Sequence, residues 1–312
     1  MVQQGRKRIV VVGSSNTDLI VKTRRIPKPG ETIIGGEFFM AAGGKGANQA
    51  VAAARADRNV VFIGRVGNDM FGKQAIEGFV REGINVDYVY KDKVAPSGIA
   101  LIFVGADGEN SIAVASGANS RLTLADVQAA KDVISSAAIL LMQLEIPMEI
   151  VQAAAEIASK AEVRVILNPA PAQPLSNNLL KYVSVLTPNE TETELLIGIK
   201  IKKESDMATA AKALLSKGVE AVLITLGAQG VYVATSKVRE LVPAFKVEAI
   251  DTTAAGDVFN GALAVALSEN KTIIEAAKFA NAAAALSVTK LGAQPSAPYR
   301  NEIEDLLSRL NY

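Results

Sequence analysis

The strongest constraint on what this chain can fold into is an alternation. Short apolar runs at Ile9–Val12, 60–64, 137–142, 163–167, 183–186 and 221–226 each have the length and composition of a buried strand. Stretches with helical spacing lie between most of them: one opening at Gly43-Gly44, then 71–81, 124–134, 147–158 with Pro147 in its first turn, and 207–216. This order predicts an α/β fold with a mostly parallel central sheet covered by helices. The predicted strands repeatedly end in polar or glycine-rich clusters, among them Ser14-Ser15-Asn16-Thr17-Asp18, Gln143-Leu144-Glu145 and Asn168-Pro169-Ala170-Pro171. Ligands of open α/β sheets gather outside the carboxyl ends of strands, so one rim is expected to collect the chemistry. Asn16 and Asp18 are then candidate ligand groups, or parts of a plain turn.

A second set of β-like pieces, 19–21, 32–40, 98–104 and 111–114, does not follow the alternation. The last two flank Ala106-Asp107-Gly108-Glu109 as a hairpin. These pieces are expected to form a small β lid, with segments of about 19–42 and 97–116 inserted into a single domain spanning 1–312. Helices at 273–291 and 301–310 are expected to cover the sheet.

Composition narrows the chemistry. The chain of 312 residues has neither Cys nor His, so thiolate catalysis, disulfides, Ser-His-Asp hydrolysis and Cys- or His-ligated metals are excluded. Acid–base work falls to Asp, Glu, Lys or Tyr. A net charge of +1 gives no electrostatic case for nucleic acid or an anionic membrane, and Arg6-Lys7-Arg8 reads as a solvated tail. No apolar run approaches the roughly 18 residues of a membrane span. The start lacks a signal-peptide cleavage pattern, and a cytoplasmic setting is expected. With 5% aromatic residues and no Trp, the core must be aliphatic.

The stretch from Asp251 to Ala262 carries the sharpest signal. Ala254, Ala255 and Gly256 leave the backbone open to close approach, and the apolar run after Asp257 reads as a helix. The unpaired N–H groups of a first helical turn and the helix dipole suit an anion. A carboxylate beside such an anion hole is resolved if Asp257 faces a neutral hydroxyl as general base while the N–H groups hold phosphate. The alternative is an Asp capping a buried helix. The loop Gly43-Gly44-Lys45-Gly46-Ala47-Asn48 also opens a helix. It is neither a Walker A loop, since Phe39 and Gly46 stand at required positions, nor G-x-G-x-x-G, since Gln49 takes the third glycine's place. Lys45 and Asn48 offer donors to a polyhydroxylated ligand; the alternative is tight packing of helix on sheet. Asn189 and Glu192 open another helix and suit Mg2+ through water, or a helix cap. The segment Thr225, Leu226, Gly227, Ala228, Gln229, Gly230 suits backbone contact with a nucleotide, or a hairpin turn.

Together these motifs, in this order from about Val10 to Tyr299, resemble the ribokinase/PfkB family of carbohydrate kinases. The 43–48 loop resembles the family's first signature and 251–257 its second. Gly13–Asp18, 143–145, 168–171 and Gly292-Ala293-Gln294-Pro295-Ser296 point to its ribose-phosphorylating members. The resemblance implies a three-layer sandwich with a mostly parallel central sheet and a small β-sheet lid that makes a homodimer. It implies D-ribose and ATP as substrates, giving D-ribose 5-phosphate, with Mg2+ and K+. Asn16, Asp18, Gly44, Lys45, Gly46, Ala47, Asn48, Glu145 and Asp257 would hold the sugar, and Ala254–Gly256 the anion. Asn189, residues 225–230, Gly256 and Asn281 would face ATP, with Glu192 ordering water around Mg2+. Asp251, Thr253, Ser287, Lys290, Gly292 and Ser296 would surround the monovalent cation. Arg55-Ala56-Asp57 departs from the family pattern, as do Ala254 and Asn281. A kinase for another sugar or a nucleoside, a non-catalytic sensor on the same fold, and a dinucleotide-dependent dehydrogenase are the competing readings; the absent G-x-G-x-x-G argues against the last.

Overall fold

Residues 8–107 and 109–309 are described by a computed structural model. The sequence readings on Arg6, Lys7, Gly108 and Leu310 fall outside them. Thirteen strands are described: β1 (Ile9–Val12), β2 (Asn16–Lys22), β3 (Glu37–Gly43), β4 (Val60–Gly67), β5 (Asn85–Asp92), β6 (Gly98–Val104), β7 (Asn110–Ala115), β8 (Ile139–Met142), β9 (Arg164–Leu167), β10 (Val185–Leu186), β11 (Ala221–Thr225), β12 (Val231–Thr235) and β13 (Arg239–Val242). Nine form one sheet in the order β13-β12-β11-β10-β9-β8-β1-β4-β5, and β3-β2-β6-β7 form the second. From β11 to β5 every pairing in the large sheet is parallel; β12 and β13 add an antiparallel edge.

Alternate residues of each central strand feed opposite cores, as the two-residue period requires. Ile9 and Val11 pack into one layer with the helices Lys45–Arg55, Ala255–Ser268 and Ile273–Ser287. Val10 and Val12 pack into the other with Met148–Lys160 and Glu204–Leu215. The predicted three-layer sandwich is therefore present, and its core is aliphatic apart from a few aromatics such as Phe62 and Phe79.

Several expectations needed correction. Ser14–Asp18 is not a simple turn: Asn16 and Asp18 lie within β2, so the chain enters the second sheet almost directly from β1. The third strand begins at Glu37, not residue 32, and the glycine pair Gly35-Gly36, both at positive φ, precedes it. The helix expected at 124–134 is two short helices, Leu124–Ala129 and Lys131–Ser135. Pro147 caps its helix from outside the first turn, and the helix from Ile273 stops at Ser287, short of residue 291. The strands β5 and β13 were missed. Both sit at edges of the sheet, where half-exposed sequences such as NVDYVYKD and RELV lack the apolar run of a buried strand.

Candidate active site

Two helices that start at the same rim build the centre of the site. In Ala255–Ser268 every residue from Asp257 to Leu267 is buried, and this helix crosses Lys45–Arg55 at very short range. At the crossing a Cβ on Gly261 would stand 2.6 Å from the carbonyl oxygen of Gln49 and 2.7 Å from the Cβ of Ala52, so only glycine permits this approach. One turn earlier the same approach brings Asn48 and Gln49 against Asp257. Asn48 Nδ2 donates to Asp257 Oδ2 at 2.9 Å, and Gln49 Nε2 donates to Oδ1 at 3.0 Å. Asp257 is 5% exposed, whereas Gly256 beside it is exposed and a Cβ there would meet nothing within 4 Å. Ala254 takes φ 60°, a left-handed conformation costly for alanine, to aim the turn into the helix. The N–H of Ala255 closes that turn on Thr252 O at 3.3 Å, and Gly256 O is held by Asn260 Nδ2 at 2.8 Å.

The remaining sugar-side candidates converge on this point. Gly44, at φ +90°, precedes the helix that begins with Lys45. Glu145 Oε2 accepts from Lys45 N at 3.0 Å and from Ser14 Oγ at 2.5 Å, while Gly46 N donates to Ser14 Oγ at 3.3 Å. The loop after β1, the loop after β8 and the first turn of the helix are thus joined. Asn16 Oδ1 accepts from Asn119 Nδ2 at 2.7 Å, and Asn119 also pairs with the backbone of Ser15. Asp18 packs on Gly43, where a Cβ would stand 2.3 Å from either carboxylate oxygen. The Oδ1 of Asn48 is buried without a partner, a polar atom available to an incoming hydroxyl.

Charge is concentrated here. Burial pushes the Asp257 carboxyl up; the Lys45 ammonium and the amides of Asn48 and Gln49 oppose this, and Glu145 adds to it. Asp257 therefore departs from a free carboxylate, and its proton affinity is raised, as suits a general base. Asp18 is pushed up to about 6, by burial first and then by Glu145 and Asp257. For Lys45, burial would lower the pKa, but the carboxylates of Asp257, Glu145 and Glu192 outweigh it and raise it.

On the other side of the rim, Asn189 caps the helix Glu190–Ile197 in a capping box: its side chain accepts from Glu192 N at 2.8 Å, and Glu192 Oε2 accepts from Asn189 N at 2.9 Å. The structural alternative for this pair is thus realised. It leaves Glu192 Oε1 uncommitted in a buried carboxylate whose pKa is raised chiefly by desolvation. Asn189 and Thr225 form an isolated parallel bridge, which sets the helix start beside the end of β11. Leu226 and Gly230 close the turn through Leu226 N to Gly230 O at 2.8 Å, with Gly227–Gln229, including Ala228, as a single 3-10 turn. The hairpin reading of this turn is correct, since β11 and β12 are antiparallel. Asn281 donates to Val242 O and Pro243 O, both at 3.1 Å, and braces the segment on which Gly230 rests.

The six cation-side candidates lie on two joined segments, 251–253 and the stretch from the last residue of the helix Ile273–Ser287 to the 3-10 turn Gln294–Ser296. Asp251 Oδ1 accepts from Thr253 N at 2.9 Å and Oδ2 from Gly292 N at 2.8 Å, while the N–H groups of Ile250 and Asp251 both donate to Val288 O. Ser287 and Ser296 donate their hydroxyls to Ala284 O and Ala293 O, and the Lys290 ammonium pairs with Glu302 at 2.7 Å. Arg55, one of the departures from the family pattern, braces the second segment by donating to the carbonyls of Gln294 and Ala297, each at 2.9 Å.

Sequence reasoning missed Gln49 and Asn119 and did not assign roles to Ser14, Gln143 and Asn168. For Gln49 a signal existed: two consecutive amides inside an alanine-rich buried helix must find partners. For Asn119 none did, because it belongs to a short 3-10 turn far along the chain.

The family model for pfkB family carbohydrate kinases matches residues 6–300. The chain is 47% identical to the ribokinase of Haemophilus influenzae, over 97% of this chain and 99% of that protein. It is 38% identical to the deoxyribokinase of Salmonella typhi, over 96% and 98%. The structure of Arabidopsis thaliana ribokinase complexed with ribose and ATP superposes with a TM-score of 0.90 at 37% identity, covering 96% of this chain and 98% of that one. The chain belongs to the pfkB family of carbohydrate kinases. It is an enzyme of that family, and its likeness to the ribokinases extends over almost its whole length.

Proposed function

We propose that this kinase transfers the γ-phosphoryl group of ATP to the primary hydroxyl of D-ribose, giving D-ribose 5-phosphate and ADP. The observation that carries the reading is the pairing of a buried, amide-held Asp257 with an exposed Gly256 at one helix N-terminus. Asp257 accepts the hydroxyl proton as the oxygen attacks the γ-phosphorus. The bond from that phosphorus to the bridging oxygen of ADP breaks, and the backbone of Ala254, Ala255 and Gly256 faces the charge on the transferring group. Asn16, Asp18, the Gly44–Asn48 loop and Glu145 bind the sugar.

On the ATP side the reading places Asn189, residues 225–230 and Asn281. Glu192 fits a water-mediated Mg2+ contact, having one carboxylate oxygen free of the cap; Mg2+ keeps most of its waters, and bound to ATP it neutralises phosphate charge. For the monovalent ion, K+ in this reading, Asp251, Thr253, Ser287, Lys290, Gly292 and Ser296 would supply the ligands, several of them through backbone carbonyls. What supports the reading is that Asp251 ties the two segments through Thr253 N and Gly292 N, and that Thr253 directly precedes Ala254, so a cation held there would steady the anion-binding turn. The reading includes a homodimer through the second sheet, supported by exposed apolar residues in register: Met40 and Leu101 both pair with Leu19, and Phe38 pairs with Val21. Because ATP is an intracellular phosphoryl donor, it includes a cytoplasmic setting.

The test is ADP release with D-ribose, 2-deoxyribose, 5-deoxyribose, fructose, fructose 6-phosphate and adenosine side by side. Ribose should lead in kcat/KM, 2-deoxyribose should follow, and 5-deoxyribose should be inert. A site built to hydrogen-bond a hydroxyl discriminates by as much as ~10⁴ against an analogue lacking it. A lead for 2-deoxyribose, adenosine or fructose 6-phosphate overturns the substrate and leaves the kinase reading of Asp257 intact.

A further inference from the structure

Behind Asp257 runs a chain of buried amides. Gln143 and Gln49 are both 0% exposed, and Asn168 is 7% exposed. Gln143 Nε2 donates to Gln49 Oε1 at 2.5 Å; Gln49 Nε2 donates to Asp257 Oδ1 at 3.0 Å and to Asn168 Oδ1 at 3.1 Å; Asn168 Nδ2 donates to Thr187 O at 3.1 Å. Gln143, Asn168 and Thr187 directly follow β8, β9 and β10, three neighbouring strands of the large sheet. The chain therefore connects the carboxylate to the rim of the sheet.

A side-chain amide can present either its NH2 or its carbonyl to a neighbour, and only its partners decide which. Turning Gln49 over would set its carbonyl against the Asp257 carboxylate and its NH2 against that of Gln143. Gln143 could turn with it, since its Oε1 is buried without a partner, but the carboxylate of Asp257 only accepts and Asn168 is fixed by its NH2 on Thr187 O, so Asp257 and Asn168 hold Gln49 in its donating orientation. Gln49 also differs from its neighbour Asn48. Asn48 keeps a buried oxygen with no partner in the protein, whereas every polar atom of the Gln49 side chain is committed to protein groups. Asn48 can meet a ligand; Gln49 acts through Asp257.

We propose that Gln49 is a positioning residue for the catalytic base, fixing the Asp257 carboxylate in its proton-accepting pose, and that Asn168, anchored on Thr187 O, sets the orientation of Gln49. This rests on the reading of Asp257 as the base. The other charged groups facing Asp257 are Lys45 at the start of the Lys45–Arg55 helix, Glu145 after β8, Asp18 on β2 and Glu192 on the Glu190–Ile197 helix. None of them is altered by changing Gln49 or Asn168.

Gln49→Met keeps the length of the side chain and removes the donor. Loss of a hydrogen bond to a charged group should lower kcat by about 10- to 100-fold. KM for ribose should stay within about threefold, because the lost contact does not touch the sugar. The acidic limb of the kcat–pH profile should move to higher pH, since a donor that favours the ionised carboxylate has gone. Asn168→Leu, which removes the anchored acceptor of Gln49, should move both quantities the same way by a smaller amount. It carries the test if Gln49→Met does not fold. An independent readout is the carbon NMR titration of the Asp257 carboxyl in protein labelled at aspartate, its signal identified by its loss in Asp257→Asn. The midpoint should rise in both variants. Unchanged kcat and an unchanged acidic limb, or an unchanged NMR midpoint, overturns the proposal. If the unmodified protein phosphorylates no sugar, the kinase reading falls, and the NMR midpoint alone still decides whether Gln49 controls Asp257.

Discussion

The side-chain amide of Asn48 donates to Asp257 Oδ2 at 2.9 Å across 209 positions of sequence. The first turns of two crossing helices thereby share one carboxylate, and the shared group is the candidate base. Asp257→Asn keeps its size and can still accept from Asn48, but it cannot take a proton. The kcat should fall by about 10² or more, in the range for loss of a general base. Ribose binding measured by calorimetry should persist. Turnover near that of the unmodified enzyme removes Asp257 from the base role.

Asp18 makes stability depend on pH. Its folded-state pKa is pushed up to about 6 from 3.8, by burial and then by the carboxylates of Glu145 and Asp257. A carboxyl with a raised folded pKa favours the protonated folded form. Its stabilising contribution is present below about pH 4 and is lost as pH rises through about 6. Asp18→Asn should therefore stabilise the ligand-free protein at pH 8 by about 1–3 kcal/mol, and the gain should shrink towards zero near pH 4. Urea unfolding at pH 4, 6 and 8 reads this directly. An equal gain at all three values contradicts the account.

Glu192 carries two roles that one substitution separates. Gln at the third helical position preserves a capping box, so Glu192→Gln should leave the Glu190–Ile197 helix in place while removing the charge. The Mg2+ concentration for half-maximal rate should rise severalfold. An unchanged Mg2+ titration confines Glu192 to the cap.

The monovalent ion is tested by salt exchange. With Asp251 joining the 251–253 and 287–292 segments, potassium should activate more than sodium or lithium at equal ionic strength. Asp251→Ala should abolish the difference among the salts. Identical rates for the unmodified enzyme in all three remove the site.

The exposed apolar row of the second sheet predicts association. Leu101, 44% exposed, pairs with Leu19, which also pairs with Met40, 52% exposed. Leu101→Glu places a charge in this row and should shift a dimer to monomer in sedimentation. A monomeric unmodified chain at micromolar concentration refutes the dimer.

The sequence by itself determined the layers. Runs such as IVVV at 9–12, apolar on both faces, have no stable place except a sheet covered on both sides, and the helical stretches between them supply the cover. It also determined which residues are chemically able: with no His and no Cys, small residues before Asp257 and a glycine-rich loop before Asn48 left few other places for acid–base work. Local pattern was weakest at the edges, where β5 and β13 mix charged residues such as Asp87, Lys91, Arg239 and Glu240 with apolar ones because solvent reaches them. The tertiary structure alone decided the partnerships. That Gln49 faces Asp257 follows from a helix crossing made close by Gly261; that Asn119 holds Asn16 follows from a turn more than a hundred residues away; that Asn189 stands beside Thr225 follows from a single bridge. The raised pKa of Asp257 was likewise invisible in the sequence, because desolvation belongs to no residue type. It arises only when folding withdraws water from a group whose partners come from distant parts of the chain.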